Sequence, residues 1–182
     1  MVGCKFDSEE KAISNEENAN NNVSKQGSNT DKFASSLNSD TISDDKLKKQ
    51  FEYLGPSSEG LTVASNNGKY GFIDGENNII IEFEFDDAQT FTEGLAAVKI
   101  NEKWGYINKN GDFTILPVYS IATPFSNNLA AVREGFVWGY INKKNEVVIP
   151  FDFDFAYPFK GDKAQVMKGT NWFYIDKSGK TI

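Results

Sequence analysis

Apolar and polar positions alternate in short runs through the second half of the chain, and turn residues separate the runs. Strict alternation is the signature of strands, because successive side chains leave a pleated backbone on opposite faces. The segment Gly94-Leu95-Ala96-Ala97-Val98-Lys99 reads as a first strand with Ala96 and Val98 on its inner face, matched by Ala130/Val132 and Ala164/Val166. After a short turn, Lys103-Trp104-Gly105-Tyr106-Ile107-Asn108 reads as a second strand. Trp104 and Tyr106 then share one face and Ile107 takes the other. The third strand is Ile79-Ile80-Ile81, Phe113-Thr114-Ile115 or Val147-Val148-Ile149, with Pro117 or Pro150 expected to help end it. A loop is expected to return through Ala88/Ala122/Ala156 to Phe91/Phe125/Phe159.

These runs repeat. Trp104, Trp138 and Trp172 recur every 34 residues, and one step earlier stands Tyr70. The neighbours keep register: Gly71, Gly105, Gly139 and Phe173, then Phe72, Tyr106, Tyr140 and Tyr174, then Ile73, Ile107, Ile141 and Ile175. Asp74, Asn108, Asn142 and Asp176 complete the block. Asn77, Gly111, Asn145 and Gly179 share one turn position, and all tolerate the positive φ of a tight hairpin. A fixed period of this size marks supersecondary units that bury their apolar faces only against one another. The fold expected is all-β: tandem 34-residue repeats of three short antiparallel strands, stacked into an elongated, solenoid-like array.

The repeats are placed at 60–93, 94–127, 128–161 and 162–182, after a partial leading unit at 46–59. Phe51 sits one period before Phe85, so Phe51-Glu52-Tyr53-Leu54-Gly55-Pro56 is read as the closing piece of that leading unit. In the last unit, read as stopping at Ile182, Lys163 and Gln165 stand where Leu95 and Ala97 stand in an interior copy. Polar groups there suit an exposed edge.

Gly94-Leu95-Ala96-Ala97-Val98, Trp104-Gly105-Tyr106-Ile107-Asn108 and Ile149-Pro150 resemble the WG repeat, or KWG repeat, of bacterial proteins. The resemblance covers about residues 51 to 182, with departures at Tyr70 and Phe173. It implies an all-β architecture and a binding or display role, in a family found in many surface and secreted chains. It implies no reaction.

Composition separates a different N-terminal part. Over residues 1 to 50 the only aromatics are Phe6 and Phe33, amid Asn, Ser, Glu and Asp. Such a stretch buries too little apolar surface to offset its ordering entropy. Residues 1–45 are therefore expected to be a disordered tail or tether. Within it Val2-Gly3-Cys4 resembles the end of a bacterial lipobox, in which the cysteine is lipidated, although no charged and apolar signal segment precedes it. Cys4 is the candidate lipidation site. The expected location is extracytoplasmic, as an anchored lipoprotein or a secreted chain, with the cytoplasm as the alternative.

The charge is −7 and there is no histidine. An acidic chain without a basic cluster does not suit nucleic acid. Ser-His-Asp and Cys-His catalysis and His-ligated zinc are excluded, and a single cysteine excludes an intrachain disulfide or a Cys cluster. No run approaches the ~20 apolar residues of a membrane span. No cofactor, metal or catalytic residue is assigned, and a monomer is expected.

The remaining candidates are rings and carboxylates. Trp104/Tyr106, Trp138/Tyr140 and Trp172/Tyr174 are read first as core and second as a stacking surface for a glycan or a cationic group. Asp86-Asp87 and Asp152-Phe153-Asp154 could form a glycosidase pair or a calcium site. However, Asp86 and Asp154 are equivalent by period and Ser120 stands between them, which favours a repeated turn residue. The reading is a non-catalytic binding module for an unknown protein or a glycan, with glycan or cell-wall binding through exposed rings as the alternative and a hydrolase behind both.

Overall fold

The structure, a computed structural model, describes residues 50–182; the tail expected over 1–45, with Cys4, lies outside the described residues. The described residues form fifteen strands and no helix. The first sheet holds β1 (Tyr53–Ser58), β2 (Leu61–Asn66), β3 (Lys69–Ile73) and β4 (Ile79–Phe85) in chain order. The second holds β5 (Asp87–Ala88), β6 (Ala96–Ile100), β7 (Lys103–Ile107) and β8 (Phe113–Tyr119). The third repeats this with β9 (Ile121–Ala122), β10 (Ala130–Glu134), β11 (Val137–Ile141) and β12 (Val147–Phe153). The last has β13 (Phe155–Ala156), β14 (Lys163–Lys168) and β15 (Asn171–Asp176). Every neighbouring pair is antiparallel, as the period-two pattern requires.

Two expectations are corrected. The connection through Ala88, Ala122 and Ala156 is not loop alone: two-residue strands there pair with the first long strand, as Ala122 does with Val132. Each full unit is therefore a four-stranded meander. Nor do the prolines end the third strand. On β11 only Gly139 separates Trp138 from Tyr140, but their partners Phe153 and Ile149 on β12 are separated by Pro150, Phe151 and Asp152. β8 bulges in the same way, with Leu116, Pro117 and Val118 opposite Gly105. Residues in a bulge leave the ladder, so a proline without an N–H is tolerated and the strand continues past it.

The bulge explains the glycine after Trp104 and after Trp138. A Cβ on Gly105 would lie 2.5 Å from the Ile115 carbonyl oxygen and 2.8 Å from Leu116 C, and one on Gly139 would lie 2.8 Å from the Ile149 oxygen. The bulged backbone fills the space a side chain would need. Phe173 can replace this glycine because no bulged third strand faces β15 among the described residues; only Thr181 bridges to Ile175.

Both faces of an interior sheet are buried. Ala96, Val98 and Ile107 point back and share a core with Val63, Phe72, Ile81 and Phe85 of the preceding unit. Leu95, Ala97, Trp104 and Tyr106 point forward, into a core closed by Ala122, Phe125, Ala130, Val132 and Ile141. The next core repeats the scheme one period later, with Trp138 and Tyr140 against Phe159, Ala164, Val166 and Ile175. At the front, Phe51 and Phe83 cover Ala64 and Ile73. Residues alternating along a strand thus belong to different cores, and no unit has a core of its own.

Candidate functional site

The turn after each second strand is built by the last residue of the repeated block. Asn108 Oδ1 accepts the N–H groups of Asn110 at 2.9 Å and Asp112 at 3.0 Å, and Asn142 Oδ1 does the same for Lys144 and Glu146. Asp74 and Asp176 make the equivalent bonds in the outer units. The positive φ expected at Asn77, Gly111, Asn145 and Gly179 is present at all four. Hydrogen bonds from the Asn78 side chain and backbone hold the Asp74 carboxyl below the usual carboxylate range, and those from Ser178 and Lys180 do so for Asp176. This turn role went unread in the sequence, although the restriction to Asn and Asp carried its signal.

The carboxylates weighed as an acid–base pair also serve turns. Asp86 Oδ2 accepts the Asn101 N–H at 2.9 Å, and Asp154 Oδ2 accepts that of Gly169 at 2.6 Å. Ser120, their equivalent, donates instead to the Arg133 carbonyl at 3.0 Å. Asp86 also pairs with Lys69, and Asp152 with Lys168. Among the described residues no group of three or more His, Cys, Asp or Glu is placed to hold a metal ion.

The aromatic row divides. Trp104 and Trp138 are 8% and 4% exposed, and Tyr106 and Tyr140 are fully buried. Each tyrosine hydroxyl crosses to the following unit, Tyr106 donating to the Thr123 carbonyl and Tyr140 to the Tyr157 carbonyl, both at 2.8 Å. Burial pushes both phenols well above the ordinary tyrosine range, so they stay neutral donors. These four rings lie between sheets and present no open face to a ligand. Trp172 and Tyr174 are different: the same two positions are 46% and 43% exposed.

What makes the difference is the face around them. In the last described unit Leu95 and Leu129 become Lys163, and Ala97 and Ala131 become Gln165. Thr123 becomes Tyr157, whose ring lies 5.8 Å from that of Trp172, with 31° between planes. Phe155 supports both, at 5.0 Å from Tyr157 and 5.8 Å from Trp172. The Lys163 ammonium sits 4.9 Å above the Tyr174 ring. Tyr157, Pro158, Lys160, Lys163, Gln165 and Tyr174 enclose a cleft of about 330 Å³. Sequence reasoning missed Tyr157, Pro158 and Lys160; the change from Thr123 to Tyr157 at one register position was the signal available.

The sequence family described as "WG containing repeat" matches residues 47–70, 70–104, 104–135 and 138–172. No curated protein matches the sequence. Among solved structures the chain is similar to a plant lectin with two metal binding sites from Cicer arietinum, with 14% identity and a TM-score of 0.30 over 68% of this chain and 86% of that one. A likeness that loose carries no argument. The family matches span most of the chain and follow the tryptophans whose rings fill successive cores, and by them this protein belongs to the WG repeat family.

Proposed function

We propose that this chain is a non-catalytic binding module whose ligand face is the open face of the last described unit. One observation carries the reading: the ring pair that is core at Trp138 and Tyr140 is open at Trp172 and Tyr174. Simple absence of a cover would leave an apolar face. Here the positions a further unit would cover are Lys163 and Gln165. Another apolar unit docked there would bury an ammonium and an amide without partners, at a cost of several kcal/mol. Rings with polar groups among them are the usual lining of a small-ligand site.

That mixture favours a glycan over an apolar protein surface, since a sugar ring offers a C–H face for stacking and hydroxyls for hydrogen bonds. We further propose display on or outside a bacterial cell, through lipidation of Cys4 and the polar segment after it. Val2-Gly3-Cys4 supports this. A Cys4→Ser variant of the native gene should then leave the membrane fraction.

The test of the binding reading is retention of the full chain by an immobilised panel of bacterial surface polysaccharides and peptidoglycan fragments. Trp172→Ala should lose the retention seen with the wild type while still melting as a folded domain, with a smaller loss of stability than Trp138→Ala. Retention untouched by that substitution would sink the reading.

A further inference from the structure

We infer that the cleft beside Trp172 takes an acidic saccharide, a sugar ring carrying a carboxylate. The inference rests on the reading of this face as the ligand face and adds the class of ligand. The chain as a whole carries a net charge of −7, yet no Asp or Glu lines the cleft, and two lysines do. Of the lysines that form ion pairs among the described residues, Lys69, Lys109, Lys143, Lys168 and Lys177, none lines the cleft. Lys160 and Lys163 have no carboxylate partner among the described residues. Asp176 stands opposite Lys163 in the register of β14 and β15, and Asp162 lies between the two lysines in sequence. Neither carboxylate lines the cleft or pairs with either ammonium, so the lining itself carries positive charge that a ligand anion would satisfy.

The rings select what carries that anion. Tyr157 and Tyr174 face the cleft, Trp172 flanks Tyr157, and Pro158 adds a flat apolar surface. Phe155 fixes Tyr157 and Trp172 from behind, so they are ordered before a ligand arrives. A pyranose stacked on Tyr157 would turn its rim toward Gln165, whose amide can both donate and accept. A carboxylate on that rim would meet Lys160 and Lys163. The volume of about 330 Å³ is at the small end for ligand sites, which fits one or two sugar residues held at an open end.

The probes are tetragalacturonate, its methyl ester and neutral cellotetraose, titrated calorimetrically into the full chain. The acid should bind at least about tenfold more tightly than the ester, a difference of ~1.4 kcal/mol, and should weaken as salt is raised. The double variant Lys160→Gln/Lys163→Gln should lose the preference for the acid. Tyr157→Ala should abolish binding of every probe, with folding of both variants checked by thermal melts. Equal binding of acid and ester by the wild type, lost in Tyr157→Ala, would overturn the acidic class while leaving the ligand face standing. Binding that survives Tyr157→Ala would overturn both. No binding of any probe, with a dimer in sedimentation that Tyr157→Ala dissociates, would overturn the inference and assign the face to a second copy of this chain.

Discussion

Gly105→Ala and Gly75→Ala make the same chemical change at two places where the fold predicts opposite results. At Gly105 the new Cβ would lie 2.5 Å from the Ile115 carbonyl oxygen and 2.8 Å from both Leu116 C and Pro117 N. All three are backbone atoms of the bulge in β8, so no side chain can swing away. Ordinary carbon–oxygen contact needs nearly 1 Å more, and supplying it means separating β7 from β8 or flattening the bulge. Overpacking costs about 1–3 kcal/mol even where side chains can yield, so the upper part of that range or slightly beyond is expected. For a domain of this size, 3 kcal/mol lowers the melting temperature by on the order of 10 °C. Gly75 has no atom within 4 Å of its would-be Cβ and no positive φ. Alanine there should be neutral or stabilise by about 0.4–1 kcal/mol, through the unfolded chain. Thermal melts and denaturant titrations of the two variants side by side read the difference. Matching melting temperatures for Gly105→Ala and wild type would refute the bulge as the reason for glycine after Trp104 and Trp138.

Other perturbations separate core from surface and acid from neutral turns. Trp138→Ala should cost ~3–5 kcal/mol in a denaturant titration, as for other large buried rings, and Trp172→Ala about half that or less because nearly half of its surface already meets solvent; equal losses would show that the two rings share one environment. The Asp74 and Asp176 carboxyls are held below their ordinary range in the folded state, so the stability they add is complete above the unfolded value near 3.8 and is lost as pH falls through the lower folded values. Asp74→Asn/Asp176→Asn, which copies the neutral Asn108 and Asn142 of the interior units, should therefore flatten the acid side of a stability–pH profile measured by denaturant melts; an unchanged acid slope would contradict this.

How much of this was readable depends on which interaction carries the information. The 34-residue period was open to inspection because each unit keeps the same ring, isoleucine and Asn/Asp positions, and each position answers to one local demand. Asn77, Gly111, Asn145 and Gly179 are of this kind, since a φ between 65° and 89° restricts the residue directly. The bulge was hidden. It arises from pairing three residues of β12 against Gly139 alone, a relation between strands that no period within one strand records. Pro150 therefore looked like a terminator. The two-residue strands at Ala88, Ala122 and Ala156 are too short to show alternation. Among the rings the limit is sharper. Trp138 and Trp172 stand in equivalent positions, and their different exposure is decided by what lies on the next layer. The only local traces were the polar Lys163 and Gln165, together with Tyr157 in the place of Thr123.

One row of rings serves as core at Trp104 and Trp138 and as open surface at Trp172. Acrylamide quenching of three variants, each keeping one tryptophan with the other two changed to Phe, measures this directly in the full chain. The Stern–Volmer constant should be several-fold larger for Trp172 than for either of the others, and reduced for Trp172 alone when a saccharide is bound. Equal quenching of all three, or a Trp138 as accessible as Trp172, would contradict that division between core and surface.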